Sequence, residues 1–313
     1  MVAAIGVCSV VAGAPAAPAP AAQVPGTTCD VFPADNVWHL DVSALPAHRK
    51  SDTWKKAMHA RTTFLHPDFG PPAYGIPFDV VGASHADVSV HFTYASESDK
   101  GPYPFGTDSH IEGGSDRHAI MVDRDACTLY ELYAAQWNGG SPKAGSGAIF
   151  DLTSNALRPP GWTSADAAGL PIFPGLLRYD EVAAGEVDHA IRVTAACTYD
   201  AFLWPARHAA GRNDRRCPPM GARFRLKAGF DASRFSPKAR VVIRAMKHYG
   251  LIVADNGSDW YFQGTVDPRW TYAFVDQLKR IPAKVFVAVD EHACRVASNS
   301  GAFVNGPGCP APP

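Results

Sequence analysis

Apolar and polar positions alternate along this chain in short runs. Alternation and β-branched content predict strands at Phe78–Val81, Val88–Tyr94, His118–Val122, Leu129–Tyr133, Ala148–Leu152 and His189–Thr194. Further runs predict strands at Ala201–Pro205, Ala222–Ala228, Leu251–Ala254, Trp260–Gln263 and Val285–Val289. Two hairpins are expected, one turning at Asp123–Ala126 and one at Asn256–Gly257, where Asn-Gly suits a type I′ turn. A helical period is clearest after Ser236: Ser caps, Pro237 fits the first helical position, Val241, Val242, Ala245, Met246 and Tyr249 form one apolar face, and Gly250 stops it. Weaker patterns predict helices from Tyr272 to Arg280 and from Thr53 to Arg61.

Strands outnumber helices and follow no βαβ rhythm. The expected fold class is therefore mainly β, an antiparallel sandwich or barrel with a few packed helices. Glycine and proline each occur 27 times, which argues against a helical bundle. Neither an internal repeat nor a later linker is evident, so a single β-rich domain is expected over 29–313, after an export signal and Ala/Pro-rich segment over 1–28.

Composition narrows the class. At 46% hydrophobic and 19% charged, 313 residues can bury a substantial core, and disorder is excluded as the main state. The net charge of −1 creates no field to attract nucleic acid. No charged side chain precedes Asp30, and the apolar start Val2–Val11 followed by Ala/Pro residues reads as an export signal, cleaved around Ala12–Ala14 or Ala19–Ala22. That apolar stretch is too short for a membrane span. Removing it takes Cys8 and leaves Cys29, Cys127, Cys197, Cys217, Cys294 and Cys309, an even number in a chain that looks exported. The favoured pairing is Cys197–Cys217 and Cys294–Cys309, each closing a short loop-rich segment, with Cys29–Cys127 tying the N-terminus to the sheet.

Motifs for several chemistries are missing: no GxSxG elbow, HExxH, Walker loop, GxGxxG after a strand or EF-hand loop. No cysteine or histidine spacing indicates zinc, and neither a metal nor a cofactor is expected. What remains is a set of polar groups at strand ends. In "DRHAIMVD", His118 shares a face with Ile120 and Val122, and in "VDHAIRVTAAC", His189 shares one with Ile191 and Val193 while Arg192 lies opposite. With His208 ending "LWPARH", these histidines either serve structure separately or converge on one site. "GARFRLKA" sets Arg223, Arg225 and Lys227 on one face, as a solvated surface or as a cationic stripe in a groove. Carboxylates gather at Glu112 and Asp116, and in the long connection holding Asp166, Asp180, Glu181, Glu186 and Asp188. Ser164 before "ADAAG" resembles a short helix cap, which would leave Asp166 favouring a helix N-terminus rather than catalysing.

The strings "IEGGSDRHAIMVDRDACTLYELY", "GWTSADAAGLPIFPGLLRYDEVAAGEVDHAIR", "WPARH" and "PPMGARFRLKAGFD" resemble those of a group of predicted exported bacterial proteins of uncharacterised function. The likeness covers most of the mature chain and implies export from a bacterial cell. It carries no fold, activity or site residue.

These readings lead to a secreted enzyme acting on a polysaccharide as a monomer, first as a glycoside hydrolase. Such chemistry needs two carboxyl groups flanking the scissile bond, and Glu112 and Asp166 are the expected pair, tuned or positioned by His118, His189 and His208. Trp162, Arg207, Arg225 and Lys227 are the candidate substrate contacts. The first alternative is a polysaccharide lyase, in which Arg207, Arg225 or Lys227 neutralises a uronate and a histidine removes the adjacent proton. The second is a non-catalytic carbohydrate-binding protein of the envelope.

Overall fold

A computed structural model describes residues 22–71, 73–304 and 309. The expected export segment, with Cys8, lies outside these residues except for 22–28. That last stretch is packed rather than trailing: Ala22 N–H donates to Asp188 Oδ2 at 3.3 Å and Val24 is fully buried.

In chain order the strands are β1 (His66–Asp68), β2 (Asp79–Val81), β3 (His91–Phe92), β4 (Ala119–Asp123), β5 (Thr128–Tyr133), β6 (Lys143–Ala144) and β7 (Ser146–Asp151). They continue with β8 (Ile191–Ala195), β9 (Tyr199–Phe202), β10 (Pro219–Met220), β11 (Arg223–Leu226), β12 (Leu251–Asn256), β13 (Tyr261–Gln263) and β14 (Phe286–Ala288). The helices are α1 (Ser51–Ala57), α2 (Tyr179–Ala184), α3 (Pro237–His248) and α4 (Tyr272–Leu278). Strand residues exceed helical ones, as the sequence pattern requires.

The sheets are open and mixed. A four-stranded sheet runs β2-β4-β5-β7 and a six-stranded sheet β1-β13-β8-β12-β11-β14, beside two small pairs, β9 with β10 and β3 with β6. The expected antiparallel arrangement is corrected here, because β2/β4, β8/β12, β1/β13, β9/β10 and β3/β6 all pair in parallel. Among the described residues no closed barrel forms. The cause is visible in β8, where all five residues are buried: a strand covered on both faces takes a central position between β12 and β13. Its insertion also separates the strands flanking Asn256–Gly257, so the expected second hairpin does not form. Gly257 instead lets the chain pass close to β8, since a Cβ there would meet Thr194 at 3.0 Å.

Strand β4 shows the same double burial. Ile120 and Val122 enter the main core with Leu129, Val193 and Val253, while Ala119 and Met121 enter a second cluster with Tyr103, Phe105 and Leu132. The hairpin at Asp123–Ala126 forms as expected and joins β4 to β5. Helix α3 has the expected cap, with Ser236 Oγ accepting from Ala239 N–H, Pro237 in first position and Gly250 at φ 73° just beyond the end. Helix α2, by contrast, lies inside the connection that the sequence reads as loop.

The disulfides are Cys29–Cys127, Cys197–Cys217 and Cys294–Cys309, the favoured pairing, with Cα separations of 5.4, 5.4 and 5.3 Å. The "GARFRLKA" strand is neither a solvated face nor a cationic stripe. Arg223 is buried, pairs with Glu291 at 2.8 Å and donates to the carbonyls of Val37, Leu40 and Tyr249. Arg225 is half-buried and donates to the Leu45 carbonyl, leaving Lys227 alone exposed.

Candidate active-site cleft

The floor of the site is built by β8 and β12. Ile191 and Val193 turn into the core, so Arg192 faces the other way, toward the loop 163–168. A register shift lies between Val253 and Asp255, after which Asp255 rather than Ala254 aligns with Thr194. The extra residue puts Asp255 on the face of Arg192, which an unbroken alternation would not do. Arg192 Nε and Nη2 donate to the two Asp166 oxygens at 3.0 and 2.8 Å, and Nη2 also lies 3.5 Å from Asp255 Oδ2.

Asp166 is fully buried, whereas the Asp255 side chain keeps 22% of its exposure and opens onto a cleft of about 490 Å³. Tyr94, Glu97, Asp116, Tyr133, His208 and Asn256 complete much of the wall. Burial, with the neighbouring Asp166 carboxylate adding to it, pushes the Asp255 carboxyl up to about 7 despite Arg192 and His118. Burial also raises Asp166, and Arg192 opposes that rise. The wall therefore carries a carboxyl group that holds a proton near neutral pH, a property suited to a general acid.

The stretch "SHIEGGSDRHAIM" closes on itself beside this floor. His118 Nδ1–H donates to Glu112 Oε2 at 2.6 Å, and Glu112 N–H donates to the His118 carbonyl at 2.8 Å. Burial works against the charged imidazole, but the Glu112 carboxylate outweighs it and raises the His118 pKa, while Glu112 is held low by the same bond. His118 Nε2 is buried and has no hydrogen-bond partner. At the tip of the loop the Asp116 carbonyl accepts from Ala134 N–H at 2.8 Å, which carries the Asp116 side chain to the cleft wall.

The other sequence candidates fall in different places. His208 lines the cleft, its Nδ1–H donating to the Ala167 carbonyl at 2.8 Å and its Nε2 lying 3.7 Å from Glu97 Oε2. His189 belongs to a separate buried group, with Nε2 at 3.2 Å from Glu181 Oε2 and Arg178 bound to the same carboxylate. The structure thus brings Asp166 and His208 to one cleft, sets Glu112 and His118 beside its floor, and leaves His189 out. Arg207 is buried and consumed by the carbonyls of Arg158 and Ser298 at 2.7 and 2.6 Å. Trp162 stacks under Arg158, 5.5 Å from guanidinium carbon to ring centroid, and is not among the lining residues. Arg225 and Lys227 lie on β11 and just beyond it, away from the cleft lining.

One expectation about the Asp166 segment is corrected. No helix follows Ser164; its hydroxyl instead organises a turn, accepting from Asp166 N–H at 2.9 Å and donating to the Leu170 carbonyl at 2.5 Å. Asp166 itself is held bidentately by Arg192 with its side chain fully buried, next to Asp255 in the cleft lining. Glu131 is a second missed acid: buried, pushed up to about 7 by desolvation, and bound to the backbone N–H groups of Ile172 and Phe173 at 2.8–2.9 Å. It anchors the loop above the core.

Among the described residues, Cys197, Asp214 and Cys217 form the one group spaced to hold a metal, and its two sulfurs are joined in a disulfide. No helix of the described residues is long and apolar enough to cross a membrane. Comparison with protein-family models, curated proteins and solved structures finds no match to this chain.

Proposed function

We propose that this protein is an exported enzyme that hydrolyses glycosidic bonds in a polysaccharide, with Asp255 as the proton donor. The observation that carries the reading is the Asp255 carboxyl, pushed up to about 7 at the edge of a cleft large enough for sugar rings. Glu97 and Asp116 on the same wall supply the second carboxyl group that glycosidic cleavage requires. Tyr94, 52% exposed, and Tyr133 offer ring faces for sugar stacking. The three disulfides support an oxidising, extracytoplasmic location.

Elimination on a uronate finds less support. It needs a free cation at the reacting unit, and Arg207 is spent on backbone carbonyls while Arg192 is held by Asp166 and Asp255. A wall bearing the Glu97 and Asp116 carboxylates also repels an anionic chain, so a neutral glycan is the favoured substrate. The test is incubation of the protein, and of its Asp255→Asn variant, with neutral and acidic polysaccharides. New reducing ends from neutral chains, absent with the variant, support hydrolysis. Ultraviolet absorbance from an unsaturated uronate would assign a lyase, and retention on the polysaccharide without product would assign a binding protein.

A further inference from the structure

A second cavity, of about 510 Å³, lies beside α1 and shares no lining residue with the cleft. Its wall holds Lys55, Lys56, Arg61 and Lys284 against a single carboxylate, Asp52. The fold gathers these charges from separate segments. Trp54 and Met58 are buried, which turns Lys55 and Lys56 outward, and Ala283 N–H donates to the Thr63 carbonyl at 2.9 Å, bringing the turn that bears Lys284 against the loop that bears Arg61. Lys227 joins them, since its N–H donates to the Val285 carbonyl at 3.1 Å and its charge reaches Asp52.

Lys55 is paired with Asp52 at 3.0 Å. Among the described residues, no carboxylate lies within ion-pairing distance of Lys56, Arg61, Lys227 or Lys284. Like charges set side by side repel, and the chain as a whole carries only −1, so this concentration is not a by-product of a basic protein. We infer that the hollow beside α1 binds an anionic polymer through its repeating negative groups, as a site separate from the cleft. It would hold the protein to an acidic surface polymer while the cleft works on a neutral chain. Lys227 then has a role in binding acidic chains, at a place the strand alternation does not indicate.

The test uses the full chain and fluorescently labelled polygalacturonate, polyphosphate and neutral dextran, followed by anisotropy at low salt and at about 0.3 M salt, where charges are screened beyond roughly 6 Å. The wild type is expected to bind the polyanions, to lose them at high salt and to ignore dextran. Lys56→Gln/Arg61→Gln/Lys284→Gln should weaken binding about tenfold or more, roughly 1.4 kcal/mol. A control of equal charge change, Lys143→Gln/Arg234→Gln/Arg240→Gln, should leave it intact, and so should Asp255→Asn, whatever that variant does to catalysis. Binding of one polyanion alone supports the site and identifies its anionic group. Failure of the wild type to bind either, or equal loss in both triple variants, overturns it.

Discussion

Replacing Asp255 by asparagine should stabilise the protein at alkaline pH while removing its activity. The carboxyl has an ordinary value of 3.8 and is pushed up to about 7 in the fold. Between those values the native chain holds a proton that the unfolded chain has released, so stability falls as pH rises through this window. The full cost is present above about pH 7 and absent below about pH 4. About three pKa units at roughly 1.4 kcal/mol each give a ceiling of about 4 kcal/mol at pH 8, shrinking to about 2 kcal/mol at pH 5. Asparagine never ionises and escapes the cost at both pH values. Any contact it fails to reproduce subtracts equally from both, so the rise in its advantage between pH 5 and pH 8, about 2 kcal/mol, is the quantity to measure. Glu131 adds its own pH dependence, but it is present in both proteins and cancels. Urea unfolding of wild type and variant at the two pH values provides the difference. A difference that does not change with pH would refute the reasoning.

Arg192→Leu leaves Asp166 buried without its partner and should cost about 3–5 kcal/mol by thermal or chemical unfolding, a loss largely recovered by adding Asp166→Asn. Alanine at His189 should lower stability and leave turnover intact, because it sits in the Arg178–Glu181 group, whereas alanine at His208 should lower turnover with a small stability change. Alkylation of the unfolded, unreduced protein should find no thiol at Cys29, Cys127, Cys197, Cys217, Cys294 or Cys309 by mass spectrometry. Opening Cys29–Cys127 should be the most destabilising single reduction, at about 4–5 kcal/mol, since it closes the longest loop, a separation of 98 residues.

Local chemistry was legible in the sequence and long-range pairing was not. Ser236, Pro237 and Gly250 mark α3 because caps and φ preferences act within one turn of chain, and the Asp123–Ala126 hairpin needs only neighbouring residues. The parallel pairing of β8 with β12, or of β1 with β13, joins strands far apart in the chain, and no periodicity reports which of them become neighbours. At the site, alternation correctly sets Arg192 opposite Ile191 and Val193, yet nothing local shows that Asp166 will meet it. Asp255 escaped notice because it reads as the polar end of "LIVAD", and the register shift that turns it toward Arg192 exists only once β8 is in place. His118 and His189 begin look-alike "HAI" segments, but one finds Glu112 and the other Glu181, carboxylates supplied by different loops.

The central claim is that the cleft holds a proton donor at neutral pH, and direct titration of the Asp255 carboxyl tests it most closely. The side-chain carboxyl carbon of Asp255, labelled with carbon-13 and assigned by its disappearance in Asp255→Asn, is followed by NMR from pH 3 to pH 9. A midpoint near 7 is expected, from the burial and the Asp166 charge that surround this group. A midpoint near 4, the value of a solvated aspartate, would contradict it.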